Sequence, residues 1–239
     1  VLALAAVLAG CGGSSKPEAT ATPAAASEPN AITGCPDVGR GWQPLAVRLH
    51  GQPVDAATLG DGRVGVVFAN ESGNNPCDWL PFAAELARRG DRVAVFSYAG
   101  GASPAQVLAV ARSLRTAGAS RVGIIGASVG GRAVIQAAAH NPPAVAAAIS
   151  LSAERSVAAL PEILPDARRI RVPSLYIGSR EDGYTTFGRE TRDFHRVTPA
   201  RVNKMLLVPG GDHGVDLLSD RYGPRVRAAI AAFLAANAR

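Results

Sequence analysis

Arg121-Val122-Gly123-Ile124-Ile125-Gly126-Ala127-Ser128-Val129-Gly130-Gly131 runs from apolar β-formers straight into Gly-x-Ser-x-Gly, and then into an alanine-rich segment ending near Ala139. A strand that feeds a helix through so short a turn leaves no room for side chains at Gly126 and Gly130, and it thrusts Ser128 out at the carboxyl edge of a sheet. The serine then sits at a helix N-terminus. There the first N–H groups have no intrahelical partner, and that of Val129 can stabilise an oxyanion. The pattern marks Ser128 as a candidate nucleophile.

A serine hydroxyl needs a base, and the base needs an orienting carboxylate. Of the four histidines, His50 falls in a predicted strand, His140 closes a helix before Asn141-Pro142, and His195 lies in a charged helix. His213 differs: it follows the predicted strand Met205 to Val208 in the glycine-rich run Pro209-Gly210-Gly211-Asp212-His213-Gly214. That places it at the same sheet edge as Ser128. The acid is expected after the preceding strand, where Leu175-Tyr176-Ile177-Gly178 leads into Ser179-Arg180-Glu181-Asp182-Gly183. Two carboxylates compete there. Asp182 is favoured because aspartate is the commoner orienting acid and Gly183 suits a tight turn, with Glu181 read as a solvated charge. Asp212 and Asp216 read as local surface groups.

Outward from this core, apolar runs alternate with helical patterns. Extended segments are expected near 45–49, 54–59 and 63–69. A helix from an Asp78 N-cap to Arg89 follows, stopped by Gly90. Strands at 92–97, 121–126, 144–151, 174–178 and 203–208 alternate with helices at 104–117, 129–139, 161–167, 186–195 and 219–235. Repeated β-α units with short connections predict an α/β fold: a mostly parallel twisted sheet with helices on both faces. Between Leu151 and Val172 only about twenty residues are available, room for a loop and one short helix, so a minimal cap and an open site suited to small acyl groups are expected.

In this order Ser128, Asp182 and His213, on such an alternation, resemble the α/β-hydrolase superfamily from about Val64 to the C-terminus. The segment Gly65-Val66-Val67-Phe68-Ala69-Asn70-Glu71-Ser72-Gly73 is similar to the strand and oxyanion loop that those enzymes usually write with a His-Gly pair. Here Asn70-Glu71 stands in its place. The resemblance makes Ser72 the second oxyanion N–H, Glu71 the fallback, and requires the acidic side chain to point away from the oxyanion. Cys77-Asp78-Trp79 followed by Leu86 and Gly90 resembles a branch close to the dienelactone hydrolases, which carry a cysteine nucleophile where this chain has Ser128. The resemblance implies a serine hydrolase cleaving a carboxylic ester or thioester of a small-molecule acyl substrate. An acyltransferase would use the same parts, and a non-catalytic cell-envelope binding lipoprotein could keep the fold.

Composition bounds the rest. The chain of 239 residues carries a formal charge of +6 and is 47% hydrophobic, enough for one sizeable core. The arginines are scattered, and aromatic residues make up only 5%, which disfavours a nucleic-acid partner. No P-loop, dinucleotide fingerprint, CxxC or HExxH occurs, so no cofactor and no metal is expected. The apolar run before Leu8-Ala9-Gly10-Cys11 resembles the lipobox of bacterial lipoproteins, implying a signal segment over 1–11, lipidation of Cys11 and a membrane face as partner. Residues 12–33 are rich in Ala, Ser, Thr and Pro and read as a tether, with the α/β-hydrolase domain over 34–239. In an exported chain the remaining Cys35 and Cys77 are expected to form a disulfide.

Overall fold

The computed structural model describes residues 1, 32, 35, 41–72, 76–140, 142–157, 160–182 and 186–238. Cys11 and nearly all of the expected tether lie outside them. Ile32, on the tether side of the expected boundary, is nonetheless fully buried, in the core cluster that also holds Cys35 and Trp42. An isoleucine so close to a tethered cysteine gains more from burial than its backbone loses in freedom.

The sheet has eight strands, β1 (Gln43–Pro44), β4 (Ala56–Leu59), β5 (Val64–Ala69), β6 (Arg92–Phe96), β7 (Arg121–Ala127), β8 (Val145–Leu151), β9 (Ser174–Ser179) and β10 (Asn203–Val208), in the order β1-β4-β6-β5-β7-β8-β9-β10. From β6 to β10 all pairs are parallel, while β1 and β4 are antiparallel additions at one edge. The central strands read as continuous apolar runs because both faces are covered. Val67 and Ala69 of β5 face one core with helices α2 (Pro104–Thr116), α3 (Val129–Ala139) and α5 (Phe187–Val197). Val66 and Phe68 face the other, with α1 (Leu80–Arg88) and α6 (Gly223–Asn237).

Four local expectations change. The N-terminal extended region is broken into short strands, with β2 (Val47–Leu49) and β3 (Gln52–Val54) forming a separate hairpin. His50 is therefore a turn residue with φ 50°, beside Gly51 at φ 81°, since a two-residue hairpin turn needs positive φ. Asp78 does not cap a helix: it lies inside a 3-10 turn, Pro76–Trp79, and α1 begins after Trp79 with no side-chain cap. The disulfide at Cys77 and the buried Trp79 set that turn instead. The helix expected over 161–167 is the single turn α4 (Leu164–Ala167), and the last helix starts at Gly223 after a 3-10 turn over Gly214–Leu218. Pro165 and Pro224 each fall at a first helical turn, where a missing N–H is harmless.

Candidate active site

Ser128 stands between β7 and α3 with φ 51° and ψ −121°, a left-handed conformation that a non-glycine residue holds only under constraint. The constraint is visible. Ser128 N–H donates to Leu151 O at 2.9 Å, and its carbonyl accepts the first α3 bond from Arg132 N–H at 2.9 Å. A Cβ at Gly126 would collide with the Gly130 carbonyl, and one at Gly130 with the carbonyls of Ala69 and Asn70. Both glycines are thus required by close backbone approach, which draws β5, β7 and α3 together under the serine.

His213 comes from the loop after β10. Its Nδ1 is 2.9 Å from Asp182 Oδ2, and the Asp182 carboxylate is fully covered. Glu181, by contrast, is exposed, and its backbone N–H donates to Gly210 O at 2.9 Å. The loop is pinned further by Ser179 Oγ, which donates to Asp212 O at 2.6 Å. Asp182 and His213 therefore meet because β9 and β10 are parallel neighbours whose following loops exchange hydrogen bonds.

Val129 and Ser72 line one cavity of about 390 Å³, shared with Tyr98, Arg132, Leu160 and Pro161. Arg132 is buried on α3 and donates to the carbonyls of Arg155 (3.0 Å) and Pro161, holding the segment after β8 over the cavity. Between β8 and β9 the described residues form only the one-turn α4, and Leu160 and Pro161 of this segment line the cavity.

Three acidic groups gather here, of which Glu154 alone has no reading in the sequence. The Glu71 carboxylate reaches the loop after β10, where Oε2 accepts from Val215 N–H at 3.2 Å, and Glu71 also lines the cavity of Ser72 and Val129. Burial pushes the Glu71 carboxyl above its ordinary range, against the Val215 N–H and His213, which pull it down. Glu154 follows β8 close to His213 and Asp182, and burial raises its carboxyl as well. Asp78, facing Asp216, is raised mainly by desolvation. Nothing in the local sequence marks Glu154, while Glu71 and Asp78 meet groups of the loop and 3-10 turn after β10. Among the described residues no three of His, Cys, Asp and Glu are grouped to hold a metal ion.

At the level of sequence no protein-family model matches the chain, and no curated protein does. Solved structures match over most of it. The chain is similar to a monoacylglycerol lipase from Paleococcus ferrophilus at 15% identity and a TM-score of 0.66, covering 77% of this chain and 98% of that one. It is similar to a dienelactone hydrolase from Anabaena variabilis at 16% identity and 0.67, covering 81% and 96%. An enol-lactonase from Burkholderia xenovorans aligns at 14% identity and 0.63, covering 78% and 98%. The fold is that of the α/β-hydrolases. In α/β-hydrolase terms the strained serine follows the central strand, and the two loops after β9 and β10 bring an acid and a histidine to the same edge.

Proposed function

We propose that the protein is a serine hydrolase that cleaves a carboxylic ester or thioester through an acyl-enzyme. The observation that carries this reading is the Asp182–His213 pair at 2.9 Å, on the same sheet edge as a serine held at φ 51°. In this reading His213 takes the Ser128 proton on Nε2 as Oγ attacks the acyl carbon, while Asp182 fixes the tautomer by accepting from Nδ1–H. The N–H groups of Val129 and Ser72 hold the oxyanion. The proton passes from His213 to the leaving alcohol or thiol, and water, activated by the same imidazole, then releases the acid and restores Ser128. A cavity of about 390 Å³ suits a short acyl group. The solved α/β-hydrolases that the chain resembles are named as lipases, dienelactone hydrolases and lactonases, which favours ester chemistry. We further propose that lipidation of Cys11 holds the domain on the outer membrane face, where the tether lets the open site meet small substrates.

The test is labelling by a fluorophosphonate probe followed by peptide mapping. Modification should fall on Ser128, with loss of p-nitrophenyl butyrate hydrolysis in proportion. Labelling at another serine, or none, sinks the reading.

A further inference from the structure

The reaction outlined above leaves Glu71 without a task. Its carboxylate costs desolvation, and it faces Asp216 from the turn after His213 and Asp78 from the turn before α1. The other groups around it, Val215 N–H and His213, belong to the loop after β10. An uncharged side chain would fill the space more cheaply. Besides its attraction to His213, the carboxylate gains one bond across 144 residues of sequence: Oε2 accepts from Val215 N–H, two residues beyond the base. The fit is close. Gly214 between them has φ 55°, and a Cβ there would collide with Glu71 Oε2, so the carboxylate fills the place of a side chain at 214.

Topology gives this bond a purpose. The loop bearing Ser72 leaves β5 and the loop bearing His213 leaves β10, and three strands, β7, β8 and β9, lie between them. Loops anchored so far apart move independently unless something joins them. Misplacing a catalytic group by about 1 Å can cost about 100-fold in rate. We propose that Glu71 is a positioning residue that latches the His213 loop to the oxyanion loop through Val215 N–H and the space at Gly214. The proposal rests on the ester-hydrolase reading. In it the base and the Ser72 N–H are held in one register, and the acidic side chain that replaces the usual residue of the loop is turned into a tie.

Three variants and one exchange measurement test it. Glu71→Ala should lower kcat by about 10- to 100-fold with KM changed less than about twofold, the far-ultraviolet circular dichroism staying the same. Glu71→Gln, whose amide oxygen can still accept from Val215 N–H, should recover to within about threefold of the parent. Gly214→Ala should depress kcat strongly in the parent and much less in the Glu71→Ala background, because the colliding carboxylate is gone. Hydrogen exchange at the Val215 amide should be about tenfold faster in Glu71→Ala, whether or not any ester is turned over. Unchanged kcat in Glu71→Ala, a Gln variant as impaired as the Ala variant, or unchanged exchange at Val215 would each overturn the latch. A parent protein with no Ser128-dependent hydrolysis but with the exchange effect intact would instead retire the hydrolase reading and leave the structural tie standing.

Discussion

At the scale of single residues, the contrast between Asp182 and Glu181 shows how adjacent carboxylates acquire different roles. Asp182 is covered and bonded to His213 Nδ1, whereas Glu181 is exposed. Asp182→Asn should therefore reduce kcat/KM by about 10³- to 10⁴-fold, because an amide cannot hold the imidazole in the tautomer that accepts from Ser128. Glu181→Gln should stay within about twofold. Steady-state kinetics on one p-nitrophenyl ester compares them directly, and the reverse order would transfer the role to Glu181. Glu71 yields a second prediction at this scale. Its carboxyl is raised in the folded state above its ordinary 4.5 by burial, so the folded state holds this proton more tightly than the unfolded chain does. The protonated form favours folding. That contribution is fully present below about 4.5 and is lost as pH rises through the folded-state value. Glu71→Gln, which removes the ionisation and keeps an acceptor, should have a melting temperature at or above the parent's at pH 8. The gap should close as pH falls toward 4.5, and a thermal melt series across this range checks the sign.

At the scale of elements, the elbow between β7 and α3 is held by backbone touching backbone. The Gly130 carbonyl fills the space where a Gly126 side chain would go, and the Ala69 and Asn70 carbonyls fill that of Gly130. No rotamer can relieve such contacts, so β7, α3 or the end of β5 would have to shift. Gly126→Ala and Gly130→Ala should each destabilise by about 1–3 kcal/mol or more, as overpacking does, and should lose fluorophosphonate labelling even where the protein remains folded. Urea denaturation beside labelling separates the two effects. A Gly130→Ala protein with parental stability and labelling would contradict the close approach of β5 to α3. Gly90 and Gly100, where an added Cβ meets nothing within 4 Å, owe their identity to φ of 92° and 88° rather than to space. Alanine there should cost only about 1–2 kcal/mol and leave labelling intact.

At the scale of the whole molecule, Cys35–Cys77 closes a loop of 42 residues that ties the chain before β1 to the turn leading into α1. By the loop-entropy relation this contributes about 4 kcal/mol, taken from the freedom of the unfolded chain. Reduction should lower the urea midpoint accordingly. Activity should fall at urea concentrations below the loss of sheet signal, since Cys77 lies just beyond the loop after β5, proposed to hold the oxyanion, and shares a cavity wall with Glu71 and Val215. Coincident loss of activity and structure in reduced protein would argue against that link. The proposed anchor is tested on the intact chain: Cys11→Ser, expressed with its signal segment in a bacterium, should move from the membrane pellet to the soluble fraction. Retention in the pellet would show that something other than Cys11 holds it.

The order of strands and helices, the strand-turn-helix around Ser128 and the loop that carries His213 were legible in the chain because each is encoded locally. Apolar runs and capping residues repeat at short range, and Gly-x-Ser-x-Gly between a strand and a helix is a constraint of a few residues on one turn. The glycine-rich run before His213 is of the same kind. The cysteine pair was also readable, from count and context alone. Other features depended on partners far away in sequence. Whether Asp182 or Glu181 meets His213 is set by the turn after β9 as it packs on the loop after β10. Asp78 reads as a helix cap, yet the disulfide and the burial of Trp79 wind its segment into a 3-10 turn. His50 reads as strand, but its hairpin needs positive φ at that point. Glu71 reads as a misplaced charge beside an oxyanion, and only the arrival of Val215, from the far end of the sheet, gives its carboxylate a donor. Local periodicity and backbone sterics thus suffice to write the elements and the elbow, while the pairing of charged groups waits on tertiary packing. A carboxylate's environment is made by whatever the fold brings within a few ångströms, and no short stretch of sequence carries that information.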